Sequence, residues 1–139
     1  MSVVLPVGYR PSENEAFMSP IQLQYFRQRL LAWREQLVKE SNETLTQMQG
    51  DAVQEADVID CASQEFDRAL ELRTRDRERK LISKIDEALR RIEDGSYGYC
   101  DETGEPIGLR RLEARPIATL SIEAQEMHER KERVHKEEW

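Results

Sequence analysis

Asp57-Val58-Ile59-Asp60-Cys61-Ala62 lies between two long segments that both carry apolar residues at helical spacing. Two long amphipathic helices joined by a short loop must pack antiparallel, so this acidic break reads as the turn of a helical hairpin. From Glu40 to Phe66 there are seven acidic residues and neither a Lys nor an Arg. That stretch carries the whole formal net charge of -7, and the remainder of the chain sums to zero. On residue chemistry alone the acidic loop is either a recognition tip or a device that keeps the hairpin end soluble.

Working outward toward the N-terminus, Leu23, Phe26, Leu30, Trp33 and Leu37 recur at spacings of three and four, the seam of a coiled coil. Ser19-Pro20 supplies an N-cap hydroxyl followed by Pro at the first helical position, where its missing N–H costs nothing. The pattern shifts phase at Leu45 and Met48, and Gly50-Asp51 weakens the far end. Toward the C-terminus a second helix is expected from Ala62 or Ser63 to Glu93, with Phe66, Leu70, Leu81, Ile85, Ala88 and Ile92 on one side and Ile82 and Leu89 beside it. Asp94-Gly95 is its stop signal. Helices of roughly 30 residues span about 45 Å at the helical rise per residue. Arg73, Thr74 and Arg77 occupy places where the seam calls for apolar residues, a register device or a recognition surface.

The fold class is therefore mainly α. Residues 1–18 mix Pro6, Gly8 and Pro11 without a period and read as a flexible arm, and residues 19–94 as the hairpin with its tip near 51–62. Residues 95–120 read as a small globular piece, in which Tyr97-Gly98-Tyr99-Cys100 and Pro106-Ile107-Gly108-Leu109 are two short extended pieces about a turn at Thr103-Gly104. Arg110 to Ala114 can make one helical turn before Pro116. Ser121 caps a last helix over 121–139.

Composition excludes several classes. In 139 residues, 38% are hydrophobic and 35% charged, with a mean hydropathy of -0.78, which suits exposed helices rather than a large core. The regular placing of Leu, Ile, Phe and Trp excludes a solvated tail. Net acidity argues against a nucleic-acid coat and toward a protein partner, with no direct sequence-specific contact to nucleic acid. No apolar run approaches the ~20 residues that cross a bilayer, and residues 1–10 lack a charged segment ahead of an apolar one. A cytoplasmic protein is expected, with Cys61 and Cys100 as reduced thiols.

Three strings are more specific than composition. Glu71-Leu-Arg-Thr-Arg-Asp-Arg-Glu-Arg-Lys-Leu-Ile82, Tyr97-Gly-Tyr-Cys100 and Ile107-Gly-Leu-Arg-Arg-Leu-Glu-Ala-Arg-Pro116 strongly resemble the DksA/TraR family, over residues 19–134. The long hairpin resembles the full-length members rather than the shorter TraR type. The resemblance implies a non-enzymatic transcription factor whose hairpin enters the secondary channel of RNA polymerase. It also implies that ppGpp acts as co-effector at the polymerase interface in the stringent response at ribosomal RNA promoters. Asp57, Asp60 and Ala62 match the family's tip residues, and paired carboxylates on a narrow rod suit a basic, low-dielectric channel. Thr74, Arg77, Leu81, Lys84, Arg111 and Arg115 match or adjoin the ppGpp and polymerase-binding positions, where cationic groups suit pyrophosphate; Thr74 replaces a family Asn. Gln125 stands where the prototype has a Lys, which implies a weaker site.

The family's finger uses two Cys-x-x-Cys pairs to bind zinc. Here the four positions are Cys100, Thr103, Ser121 and Ala124, so a degenerate finger without a structural metal is expected. His128 and His135, seven apart, are expected to be surface residues. Packing among Tyr97, Tyr99, Ile107, Leu109, Leu112, Ile117, Leu120 and Ile122 must then hold the piece together. A monomer is expected. Two other readings remain: a Gre-like transcript-cleavage factor whose tip carboxylates help bind a catalytic Mg²⁺, and a structural coiled-coil homodimer. The spacing of Asp57 and Asp60 and the downstream Arg-Leu-Glu-Ala-Arg-Pro module favour the first reading over the Gre-like one, and the homodimer predicts a stable dimer by light scattering with no polymerase binding.

Overall fold

The computed structural model describes the backbone of residues 4–51 and 58–137 and the side chains of residues 4–46 and 63–136. Among the described residues there are four helices: α1 (Pro20–Asp51), α2 (Val58–Asp94), α3 (Leu109–Ala114) and α4 (Ile122–Glu137). α1 and α2 form the expected antiparallel hairpin, and no helix among the described residues is long and apolar enough to cross a membrane. The chain divides into two compact units, Leu31–Asp86 and Met1–Leu30 with Glu87–Trp139.

In the first unit Leu37 and Ile85 are buried and Arg34 Nε meets Asp86 Oδ1 at 2.7 Å. That pair is solvent-exposed and contributes little. The expected α2 stripe fails away from this end, where Phe66 is 66% and Leu70 45% exposed. The cause is the seven-residue period of the inward positions. A seam repeating every seven residues drifts by about 20° per heptad on a 3.6-residue helix. A straight stripe drawn through Leu81 and Ile92 therefore leaves the seam before it reaches Phe66. The inward positions are instead Arg68, Glu71, Arg75, Glu78, Ile82 and Ile85, while Arg73, Thr74 and Arg77 face solvent.

In the second unit Phe26 and Leu30 of α1 and Ala88 and Ile92 of α2 are buried, as are Tyr97, Cys100, Ile107, Leu109, Leu112 and Ile117. Burying one such aromatic side chain stabilises by about 1.5–3 kcal/mol. Tyr97 packs on Phe26 with ring centroids 5.7 Å apart, and its hydroxyl donates to the Pro116 carbonyl at 2.8 Å. Tyr99 and Leu120, expected in this core, are half-buried, and Ile122 is 52% exposed because it opens α4 on the outer side. α2 stops as expected: Gly95 takes a φ of 85°, and the N–H groups of Gly95, Ser96 and Tyr97 all reach the Arg91 carbonyl. The two extended pieces reduce to an isolated antiparallel bridge, Tyr99 with Pro106, closed by a turn in which Gly104 N–H donates to the Cys100 carbonyl at 2.9 Å.

The segment before α1, expected to be loose, is tied down. Tyr9 donates to Glu15 at 2.7 Å, Phe17 stacks edge-on against Tyr99, and the Met18 N–H donates to Gln22 Oε1 at 2.9 Å. Gln22 in turn donates to the Ser12 carbonyl at 3.2 Å. Gln22, in the first turn of α1, thus pins the chain ahead of the helix, while the hydroxyl of Ser19, expected to cap α1, has no partner.

Met18 presses on the backbone of Gly98, where an added Cβ would lie 2.7 Å from its sulfur and 2.8 Å from its Cγ, and Gly98 has a φ of 90°. Gly98→Ala is expected to destabilise the protein by ~1–3 kcal/mol, part from the clash and part from the backbone. In a Met18→Ala background the clash is gone and the penalty should shrink to the backbone part. Equal penalties in both backgrounds, measured by denaturant unfolding, would show that the arm does not bear on Gly98.

Candidate functional site

The expected site residues fall into three groups. At the hairpin turn, Asp57 lies outside the described residues, and Asp60 and Ala62 are in the opening turns of α2, their side chains outside the described set.

The second group is on α2. Thr74, Arg77, Leu81 and Lys84 follow spacings of three and four and share one helix face. Thr74, Arg77 and Lys84 are exposed and Leu81 is half-buried at the edge of the seam. Thr74 donates its hydroxyl to the Leu70 carbonyl at 3.0 Å, which fixes its rotamer, whereas Arg77 and Lys84 have no ion-pair partner among the described residues. Two free cations flanking an apolar side chain can hold an anion with an apolar body beside it. Phe66, Leu70 and Arg73 continue the same exposed stripe.

Arg111 and Arg115 belong to the other unit, so the structure groups them with the finger and not with the α2 face. Arg111 is half-buried and its Nε donates to the Leu120 carbonyl at 2.9 Å, so part of its guanidinium holds the loop before α4. Arg115 is exposed at the end of α3, its N–H closing the helix on the Arg111 carbonyl at 2.8 Å.

The finger itself can be tested against zinc. Cys100 supplies one buried thiol. The Thr103 hydroxyl accepts the Glu105 N–H at 3.3 Å, and the Ser121 hydroxyl accepts the Ala124 N–H at 3.2 Å as a helix N-cap. Ala124 brings a buried methyl group. These groups do not make a tetrahedral thiolate site. Burial pushes the Cys100 thiol up, but hydrogen bonds from the Thr103 side chain and from the N–H groups of Ser121, Thr103 and Glu102 outweigh it and bring the pKa down to about 6.

Two contacts invisible in the sequence fasten the loop that follows Cys100. Arg91 holds Asp101 at 2.6 Å, and His128 of α4 meets Glu102. His128 is exposed, as expected of a surface residue, and also joins α4 to the finger loop. Nothing in a 26-residue separation signals such a pair. Gln125 is half-buried and donates to Glu129 at 3.3 Å.

Residues 22–92 match the family described as DnaK suppressor protein DksA, N-terminal domain, and residues 95–130 match the prokaryotic dksA/traR C4-type zinc finger. The chain is 68% identical over 130 residues to the RNA polymerase-binding transcription factor DksA of Caulobacter vibrioides, covering 94% of this chain and 92% of that protein. It is 47% identical to the Escherichia coli K12 protein of the same name, covering 90% and 83%. The solved structure of transcription factor DksA2 from Pseudomonas aeruginosa superposes with a TM-score of 0.80 at 46% identity, covering 89% of this chain and 94% of that one.

The lowered Cys100 pKa sets a pH dependence. Its folded value of about 6 lies below the ordinary thiol value of ~8.5, so its contribution to stability is fully present above pH ~8.5 and is lost as pH falls through 6. In a Cys61→Ser variant, thiolate absorbance should titrate near pH 6 in the folded protein and near the ordinary value in denaturant. The same titration in both states would refute the hydrogen-bonded thiolate.

Proposed function

This chain belongs to the DksA family, and from that membership we propose that it is a transcription factor that binds RNA polymerase through the secondary channel and, with ppGpp, modulates initiation at ribosomal RNA promoters. The observation that carries the reading is the match of both modules, hairpin and finger, to RNA polymerase-binding transcription factors across nearly the whole chain. The relatives are transcription factors rather than enzymes.

In this reading Asp57 and Asp60 act at the hairpin end, where their carboxylates meet basic groups of the channel, and Ala62 keeps the approach narrow. The α2 face of Thr74, Arg77, Leu81 and Lys84 and the finger residues Arg111 and Arg115 form the protein's share of the ppGpp and polymerase contact. Arg77 and Lys84 support this because they are exposed and have no ion-pair partner among the described residues. Gln125 supplies no cation, so ppGpp gains less here than beside a Lys. The protein acts as a monomer in the cytoplasm. Its finger folds without structural zinc, supported by the donor set of one thiolate, two hydrogen-bonded hydroxyls and a methyl group.

In-vitro transcription from a ribosomal RNA promoter tests the tip and the nucleotide contact separately. Asp60→Asn should lose inhibition while still binding polymerase, and full inhibition by that variant would refute the tip assignment. Arg115→Ala should inhibit in the absence of ppGpp but need about tenfold more ppGpp for the same response, the cost of a charge-assisted contact. An unchanged ppGpp response would remove Arg115 from the contact. Stimulated cleavage of a backtracked transcript would instead favour a Gre-like factor.

Metal content is a further test. A chelator should leave the melting curve where it was, and one zinc per chain by elemental analysis would overturn the metal-free finger.

A further inference from the structure

The hairpin unit Leu31–Asp86 changes character along its seam. At one end Leu37, Ile82 and Ile85 face inward. Further along, the inward positions of α2 are Glu78, Arg75, Glu71 and Arg68, and those of α1 are Val38, Ser41, Thr44 and Leu45. Glu78 is only 9% exposed. One carboxylate oxygen of Glu71, one of Glu78 and the Nε of Arg75 are buried without any hydrogen-bond partner. None of the three residues makes an ion pair with another described residue. Meanwhile Phe66, Leu70 and Leu72 of the same stretch face solvent.

From this arrangement we infer that the hairpin is built in two zones, an apolar base and a charged upper segment that opens as a unit while the base stays folded, with the step between Glu78 and Ile82. The physical reason is an imbalance in what opening exposes. When the upper segment separates, the orphaned atoms of Glu71, Arg75 and Glu78 recover water, which offsets the lost contacts of Val38 and Leu45. When the base separates, Leu37, Ile82 and Ile85 are exposed and no buried polar atom gains a partner. The outward Phe66, Leu70 and Leu72 add nothing to closure. Opening of one segment ahead of its neighbour is therefore written into the seam and does not depend on what binds the hairpin.

Hydrogen exchange by mass spectrometry on the full chain tests this directly. Amides of residues 38–46 and 64–78 should exchange together, with protection at least about tenfold below residues 31–37 and 82–86, and with a step at Glu78 to Ile82. The triple variant Glu71→Leu, Arg75→Leu, Glu78→Leu should bring the upper segment up to the protection of the base and leave the base unchanged. Ile85→Ala should do the reverse, lowering protection in the base. Equal protection of the two zones in the unmodified chain would overturn the inference, and so would a triple variant whose upper segment exchanges as before, since fraying from the turn would then be the cause. If the triple variant does not stay soluble, Glu78→Leu alone reads the same step.

Discussion

A buried phenol holds together the unit made of residues 1–30 and 87–139. Tyr97 is 2% exposed, its ring lies against Phe26 of α1 and its hydroxyl reaches the Pro116 carbonyl, so one side chain joins the first helix, the loop after α2 and the loop before α4. Burial raises its pKa, which keeps it a neutral donor throughout the physiological range. A four-thiolate finger joins its two knuckles through the metal. Here the equivalent segments are joined by direct contacts: Asp101 N–H on the Thr119 carbonyl at 2.9 Å, Glu102 on His128, and Ser121 capping α4. Remove the phenol and these peripheral links would have no common centre to close around.

The arm before α1 belongs to the same system. Met18 sits at a φ of 54°, a conformation uncommon for a side chain of that size, and it is held there by Gln22 and by the glycine it covers. Gln22 is fully buried in doing so. The first helix is therefore anchored at its start as well as along its flank, so the α1 end of the hairpin begins from a fixed point.

Much of this was legible in the sequence. The start of α1 at Pro20, the stop at Asp94-Gly95, the turn of helix near Arg110 and the Ser121 cap rest on local chemistry and hold in the structure. The one-dimensional pattern misled where geometry accumulates over distance. A few degrees of drift per residue are harmless across Leu81 to Ile92 but displace Phe66 and Leu70, up to about two heptads before Leu81, from the seam. Contacts between distant charges, such as Glu102 with His128 or Arg91 with Asp101, leave no periodic trace at all. Of the expected site, Thr74, Arg77, Leu81 and Lys84 came from the family resemblance, and their three-and-four spacing puts them on one face of α2. That Arg111 spends a donor on the Leu120 carbonyl was not legible, because its neighbours in sequence look equally basic.

The regular seam of the hairpin also bears on how such a chain can change length over evolution. Inward positions recur in a strict four-three rhythm from Arg68 to Ile85. Deleting or inserting seven residues, or a multiple of seven, in each helix would bring every remaining inward residue back into phase, whereas a change of one or two residues would turn seam residues outward. Reach can therefore be adjusted in steps of about 10 Å without touching the finger, the arm or Tyr97. The charged stretch, lacking interlocked apolar side chains, is where such a step would disturb packing least.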